Sequence, residues 1–175
     1  VATLTKSLAA KPDNRVVLRL SQVQVTEGNA SKALKTLSDW LVKKPDDVDV
    51  RRQYGSLLLI TGSSTAARAE FETVLKARSN DAVCLNNLVW IIQKDDPKRA
   101  MAMVTQAAQL APQVPEIIDT LGWMKIQGND RPGGLVLLQR AHTLAADNPQ
   151  IGYHLAVALD MAGKRVRHLV EAACG

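Results

Sequence analysis

The feature that most constrains the fold of this 175-residue chain is a repeat of 33 or 34 residues along its length. It shows first in residue pairs whose second member is mostly small: Leu20-Ser21, Tyr54-Gly55, Leu88-Val89, Leu121-Gly122 and Leu155-Ala156. It shows again in single small residues: Ala33, Ala67, Ala100 and Gly134. A fixed period of this length predicts stacked helical hairpins. Because such arrays present an extended binding surface, the pattern favours an interaction protein.

Residues that end and begin helices recur at matching places in each repeat. Glycines able to take a positive φ follow the stretches of helical periodicity, at Gly28, Gly62, Gly128 and Gly163. Polar residues that can cap the next helix, such as Asn29 and Ser63, come directly afterwards. The predicted first helices of the hairpins (A helices) are 14–27, 47–61, 81–94, 114–127 and 149–162. The predicted second helices (B helices) are 30–43, 64–77, 97–110 and 131–146, with a B-type fragment at 2–10 and a weaker terminal helix at 164–173.

Composition agrees with such an array and excludes several other classes. Hydrophobic residues make up 46 % of the chain but aromatic residues only 3 %, so the core is expected to consist of Ala, Leu, Val and Ile. No run approaches the roughly 18 apolar residues of a membrane span. The net charge of +5 contains no block of five or six like charges, which argues against a basic nucleic-acid tail. Cys84 lies on an apolar helix face and is predicted to be a small buried hydrophobe.

These positions resemble the frame of the tetratricopeptide repeat (TPR) family, which has a large–small pair in its first helix and a small residue in its second. The segments 119–123 (Asp-Thr-Leu-Gly-Trp) and 148–159 are especially similar. The resemblance implies an all-α fold, a right-handed superhelical solenoid of antiparallel helix hairpins. It implies one array, with a partial repeat at 1–13, full repeats at 14–47, 48–81, 82–114 and 115–148, and a final repeat with a capping helix at 149–175.

The sequence departs from the family most clearly in the fourth B helix. Gly133 and Gly134 stand where helix propensity is wanted, at a cost of about 1 kcal/mol each relative to Ala. We therefore expect this B helix to be the softest part of the array.

The segment 119–123 and the final repeat also resemble, more weakly, bacterial envelope TPR proteins. These include the TPR lipoproteins of exosortase and exopolysaccharide systems. This narrower resemblance implies a scaffold in the bacterial cell envelope or periplasm, with the cytoplasm as the alternative compartment. Because the chain opens at Val1, partway through a repeat, we expect it to be an excerpt of a longer protein.

The resemblance also implies which residues would line a binding groove, because the A helices of TPR proteins line the concave face. The residues at the matching positions are Arg15, Arg19, Arg52, Gln53, Asn86, Asn87, Trp90, Lys94, Asp119, Thr120, Trp123, Tyr153 and His154. An Asn amide can both donate to and accept from a peptide backbone, tryptophans are frequent hot spots, and arginines can pair with carboxylates. A plainer alternative stays open, in which the tryptophans belong to the core and the polar residues form ordinary solvated surface.

These observations predict a non-enzymatic scaffold that binds a peptide or segment of a partner protein in the A-helix groove. No cofactor or metal is expected, because the histidines and cysteines lack metal-ligand spacing. Two alternatives stay open: an RNA-binding helical repeat, and an array that self-associates through its exposed ends. Nucleic acid is less expected because polar residues at equivalent repeat positions vary and include aspartates. Membrane contact is expected only through missing parts of the parent protein or the basic C-terminal helix.

Overall fold

A computed structural model describes residues 13–162 of the chain, together with Val1, Thr3 and Leu4. In residues 13–162 the regular structure consists of nine helices joined by short turns. They are α1 (Asn14–Thr26), α2 (Ala30–Lys43), α3 (Val48–Ile60), α4 (Ser64–Ala77), α5 (Ala82–Ile92), α6 (Pro97–Leu110), α7 (Pro115–Gln127), α8 (Arg131–Leu144) and α9 (Pro149–Met161). Every predicted helix within this range is present, with ends that differ by at most two residues from the prediction. The predicted helices at 2–10 and 164–173 and the glycine at 163 lie outside the described residues.

Three turns between an A helix and its B helix use a left-handed residue at the same repeat position. Gly28 has φ 77° and Gly62 has φ 86°, as predicted. The prediction for Gly128 is wrong, because its φ is −81° and Asn129 takes the left-handed conformation with φ 66°. Asn129, and not Gly128, lies whole repeats after Gly28 and Gly62. Asn also tolerates this conformation better than most residues with a side chain.

Aspartates recur directly before the first three A helices and cap them. The Asp13 carboxylate accepts from the Arg15 N–H, and Asp47 accepts from the Val50 N–H. Asp81 accepts from the Cys84 N–H at 3.1 Å. Each carboxylate satisfies a backbone donor that the helix itself leaves unpaired. By contrast, the side chains predicted to cap α2 and α4 make no capping hydrogen bond.

The chain divides into two compact units, Val1–Ile91 (unit one) and Ile92–Gly175 (unit two). The core of unit one is built from Val17, Leu37 and Val50, with Trp40 packed at its edge. The Trp40 Nε1–H donates to the Asp47 carboxylate at 2.9 Å, which links α2 to the start of α3. Two clusters form the core of unit two, around Leu138 and Ala158 and around Ile118 and Ile151. Among the described residues, no helix combines the length and apolar character needed to cross a membrane.

In the α3–α4 and α7–α8 hairpins, the two helices approach so closely that only a glycine fits at the contact. A Cβ placed on Gly55 of α3 would lie 2.8 Å from a ring carbon of Phe71, which is fully buried in α4. In unit two, a Cβ on Gly122 of α7 would lie 2.9 Å from Leu138 Cγ. A Cβ on Gly134 of α8 would lie 2.7 Å from the Gly122 carbonyl oxygen, which is backbone and cannot rotate away. Gly134 therefore costs helix propensity but permits the closest helix contact in this hairpin.

We expect Gly134→Ala to destabilise the protein although Ala favours helix formation. Overpacking against the Gly122 carbonyl should lower the free energy of unfolding by about 1–3 kcal/mol. Gly152→Ala in α9 is the matched control, because no heavy atom lies within 4 Å of its added Cβ. The control should raise the free energy of unfolding by up to about 1 kcal/mol. Urea unfolding followed by circular dichroism measures both, and equal stabilisation by the two substitutions would contradict the close contact.

Cys84 occupies the core position predicted for it, with 0 % of its surface exposed. Burial raises the pKa of its thiol, and the neighbouring Asp81 carboxylate adds to the rise. Because the thiolate is the reactive species, the side chain should be chemically inert in the folded protein.

We therefore expect Cys84 to resist thiol reagents until the protein unfolds. The measurement uses a Cys174→Ser variant, so that Cys84 is the sole thiol, and titrates it with a chromogenic disulfide at mildly alkaline pH. No reaction is expected in buffer, and one equivalent is expected in denaturant. Rapid stoichiometric labelling of the folded protein would show that Cys84 is accessible.

Candidate functional site

The predicted groove residues of unit one come together between the first two A helices. A cleft of about 360 Å³ lies between α1 and α3, and its lining residues are Arg15, Leu18, Arg19, Gln22, Asp49, Arg52 and Gln53. Four of the thirteen predicted site residues therefore share one cleft: Arg15, Arg19, Arg52 and Gln53. Their spacing along A helices places them on one side of α1 and α3.

Arg52, which lines this cleft, lies between two carboxylates. Arg52 Nη1 lies 3.3 Å from an oxygen of Asp81, whose side chain is only 3 % exposed, and Arg52 Nη2 lies 3.6 Å from Asp49. Arg78 joins the same network at 2.9 Å from Asp49 and 3.7 Å from Asp81. The hydrogen bond to Asp49 raises the pKa of Arg78 above its ordinary value. Arg52 thus serves to connect α3 with the start of α5.

The other two arginines of the cleft differ in their surroundings. Arg15 donates from Nε and Nη2 to the two oxygens of Asp13, at 3.2 and 2.8 Å. This side-chain hydrogen bonding raises the pKa of Arg15. Arg19 is exposed, and its guanidinium makes no hydrogen bond or ion pair with any residue of 13–162. Arg19 is therefore the cation in this cleft whose charge is not balanced by a described carboxylate.

The predicted residues on α5 are only partly available to a ligand. Asn87 is half-buried, and its Nδ2 donates to Ser56 Oγ on α3 at 3.2 Å. Asn86 is 7 % exposed, and its Oδ1 has no hydrogen-bond partner among the described residues. Trp90 is half-buried, and Lys94 is exposed in the turn that follows α5. Asn86 therefore offers little surface to a ligand.

In unit two, predicted residues on α7 and α9 form a buried pair beneath an aromatic surface. His154 Nδ1 lies 2.7 Å from Asp119 Oδ2, and the two residues are 6 % and 2 % exposed. The His154 ring stacks on Trp123 with centroids 4.6 Å apart and planes 15° apart. Tyr153 is 65 % exposed, and its ring lies 6.0 Å from that of His154. Thr120 is buried and donates to the Glu116 carbonyl of its own helix.

This arrangement connects two A helices and positions an aromatic surface. The Asp119 carboxylate holds the imidazole, and the imidazole supports one face of the Trp123 indole. The hydroxyl of Thr120, the residue that follows Asp119, donates its hydrogen bond to the backbone of its own helix. Within residues 13–162, no cluster of three His, Cys, Asp or Glu side chains could hold a metal ion. The result is a partly exposed aromatic surface, in which Trp123 and Tyr153 both lie next to the buried His154 ring.

Sequence reasoning missed the carboxylates that neutralise the predicted cations. Asp13 and Asp81 are absent from the predicted site residues, yet they engage Arg15 and Arg52. A signal was present, because Asp13, Asp47 and Asp81 recur at intervals of 34 residues before successive A helices. The interval predicts capping, whereas the pairing of Asp81 with Arg52, 29 residues away, is visible only in three dimensions.

Removal of one partner of the buried Asp119–His154 pair should be costly. In His154→Ala the buried Asp119 side chain loses its hydrogen-bond partner, so we expect a loss of about 1–3 kcal/mol in the free energy of unfolding. The control is Lys35→Ala, which breaks an exposed pair with Asp39 in α2 and should cost at most about 0.5 kcal/mol. Equal losses in the two variants, measured by chemical denaturation, would show that the buried pair does not stabilise unit two.

Comparison with known proteins shows what this architecture is similar to. No protein-family model and no curated protein matches the sequence. Among solved structures, a thermophilic TPR protein of Thermus thermophilus superposes with a TM-score of 0.73 at 18 % identity, over 87 % of this chain and 84 % of that one. MamA of Desulfovibrio magneticus RS-1 gives 0.67 at 21 % identity, over 86 % and 85 %. YrrB, described as a TPR protein with an unusual peptide-binding site, gives 0.66 at 15 % identity, over 94 % and 86 %.

These similarities extend over most of the chain and most of each solved structure. They agree with the helix hairpins, the small residues at the helix contacts and the 33- or 34-residue period. The chain therefore has the all-α helical-repeat solenoid fold of the tetratricopeptide repeat.

Proposed function

We propose that this protein is a non-enzymatic interaction module that binds a segment of a partner protein on the face formed by its A helices. The observation that carries the proposal is the cleft between α1 and α3, where polar side chains of successive A helices converge. The same relation recurs where Asn87 of α5 donates to Ser56 of α3. In unit two it recurs where Asp119 of α7 contacts His154 of α9.

The chemistry of these side chains suits a peptide. Gln53 carries both a donor and an acceptor, as a peptide bond does, so it can pair with an extended backbone. In unit two, Tyr153 offers a large exposed ring, and both it and the half-buried Trp123 lie next to the His154 ring. Aromatic surface of this kind often dominates binding energy at protein interfaces. YrrB, whose fold is similar, is described as having a peptide-binding site, which adds support.

For the compartment, we propose the bacterial cell envelope, with a role in exopolysaccharide assembly. The support is the resemblance of residues 119–123 and the final repeat to envelope TPR proteins. Immunodetection of the native protein in membrane, periplasmic and cytoplasmic fractions tests this part separately. Recovery in the cytoplasmic fraction alone would contradict it without affecting the proposed binding face.

Site-specific photocrosslinking tests the binding face directly. Benzoylphenylalanine replaces Gln53 in the cleft of unit one, or Tyr153 in unit two, and cells of the source organism are irradiated. We expect a covalent adduct with a partner protein, identified by mass spectrometry, from at least one of these positions. Val42, which is 83 % exposed on the B helix α2, is the matched control position and should give no such adduct.

The result that overturns the proposal is equally specific. If position 42 captures the same proteins as positions 53 and 153, the A-helix face is not the specific binding surface. If all adducts contain only a second copy of this chain, the module self-associates through that face instead of binding a different partner.

A further inference from the structure

We propose that Arg19 makes the cleft between α1 and α3 selective for an acidic, extended peptide segment. This inference rests on the proposed function and narrows it, because it names the chemical class of the partner. An aspartate or glutamate side chain of the partner would accept from the Arg19 guanidinium. The flanking peptide bonds would pair with the carboxamides of Gln22 and Gln53.

The charges around the cleft single out Arg19. Arg15 is held by both oxygens of Asp13, and Arg52 is held between Asp49 and Asp81. Arg19 lines the same cleft but has no carboxylate partner within residues 13–162. A ligand carboxylate at Arg19 would complete the pattern without competing against an existing ion pair. A guanidinium is also suited to this task, because its planar donors match the two oxygens of a carboxylate.

The remaining lining of the cleft suits a peptide backbone. The Gln22 and Gln53 side chains make no hydrogen bond to any residue of 13–162, so both amides can pair with a ligand. Leu18 adds apolar surface beside them. The cleft volume of about 360 Å³ lies at the lower end of the roughly 300–1,000 Å³ typical of ligand sites. It can therefore accept one or two side chains of an extended segment, but not a folded element.

The same surroundings disfavour nucleic acid as the ligand. A phosphate backbone carries a charge at every nucleotide, and its neighbouring charges would meet the carboxylates of Asp13 and Asp49. The cleft lining includes no aromatic ring on which a base could stack, as far as the described residues extend. A single carboxylate on a peptide needs only one uncompensated cation, which is what the cleft provides.

The test measures binding of fluorescein-labelled peptides to the full chain by fluorescence anisotropy at low salt. One extended peptide carries a single Glu among Ala and Gln residues, and its counterpart carries Gln at that position. We expect the Glu peptide to bind about two- to fivefold more tightly than the Gln peptide, as expected for one exposed ion pair. This preference should shrink as salt rises to about 0.15 M, because the Debye length then falls to about 8 Å and surface charges attract each other less.

Two charge-neutralising variants assign the preference to the cleft. Arg19→Gln should bring the Glu peptide down to the affinity of the Gln peptide, with an unchanged circular dichroism spectrum because Arg19 is exposed. Lys32→Gln, an exposed site on the B helix α2 of the same unit, removes the same charge and should keep the preference. A preference that survives Arg19→Gln, or is lost equally in both variants, overturns the inference.

Other outcomes separate this inference from the proposed function. Equal affinities for the Glu and Gln peptides, or no binding of either, refute acidic recognition, whereas partner adducts at position 53 would still support the binding face. If a labelled oligouridylate binds more tightly than the Glu peptide, and only when Arg19 is present, RNA would be the ligand of the cleft instead of a peptide. Absence of both peptide binding and photocrosslinks would refute the cleft as a binding site altogether.

Discussion

The close contact between the two helices of a hairpin is the constraint on which the rest of the structure depends. Gly122 and Gly134 show it most clearly, because the backbone of α7 lies where a Cβ of α8 would otherwise be. Gly55 leaves the corresponding space to the ring of Phe71, a residue with no exposed surface. In the α3–α4 and α7–α8 hairpins this spacing packs the B helix closely against its A helix. The residues of the candidate site lie on the A helices, where Arg19 and Tyr153 are exposed and Asp119 and His154 are buried.

The residues that begin the A helices also determine the electrostatics of the site. Asp47 caps α3, and it accepts from the Trp40 indole of α2 as well. Asp81 caps α5 and pairs with both Arg52 and Arg78. Within unit one, these aspartates thus both cap A helices and connect neighbouring hairpins. As a consequence, the cleft keeps less unbalanced positive charge than its three arginines suggest, and among residues 13–162 that charge lies on Arg19.

The two units offer different chemistry on their A helices. In unit one the cleft is polar, with the Arg19 guanidinium and two carboxamides. In unit two a buried Asp119–His154 pair supports Trp123, and the exposed ring of Tyr153 lies next to the His154 ring. On the proposed binding faces, specificity would therefore come from charge in unit one and from aromatic contact in unit two.

The sequence by itself determined the helices, because their signals are local or strictly periodic. Apolar spacing, Pro97 and the glycines at positions 28 and 62 placed helix ends to within two residues. The period also indicated which positions must be small, as at Gly55 and Gly122. The period alone indicated position 129, which lies whole repeats after Gly28 and Gly62, but the preference of glycine for a positive φ led to the wrong prediction of Gly128.

Only the tertiary structure decided which candidate residues are available to a ligand. Arg52 and Asp81 are 29 residues apart, and Asp119 and His154 are 35 apart, yet each pair meets within hydrogen-bond distance. Whether such side chains meet depends on how successive A helices pack, and no local pattern records it. Sequence reasoning therefore treated Arg15, Arg19 and Arg52 alike. In the structure Asp13, two residues away, balances Arg15, and helix packing brings Asp81 to Arg52, whereas Arg19 has no carboxylate partner in the described part of the chain.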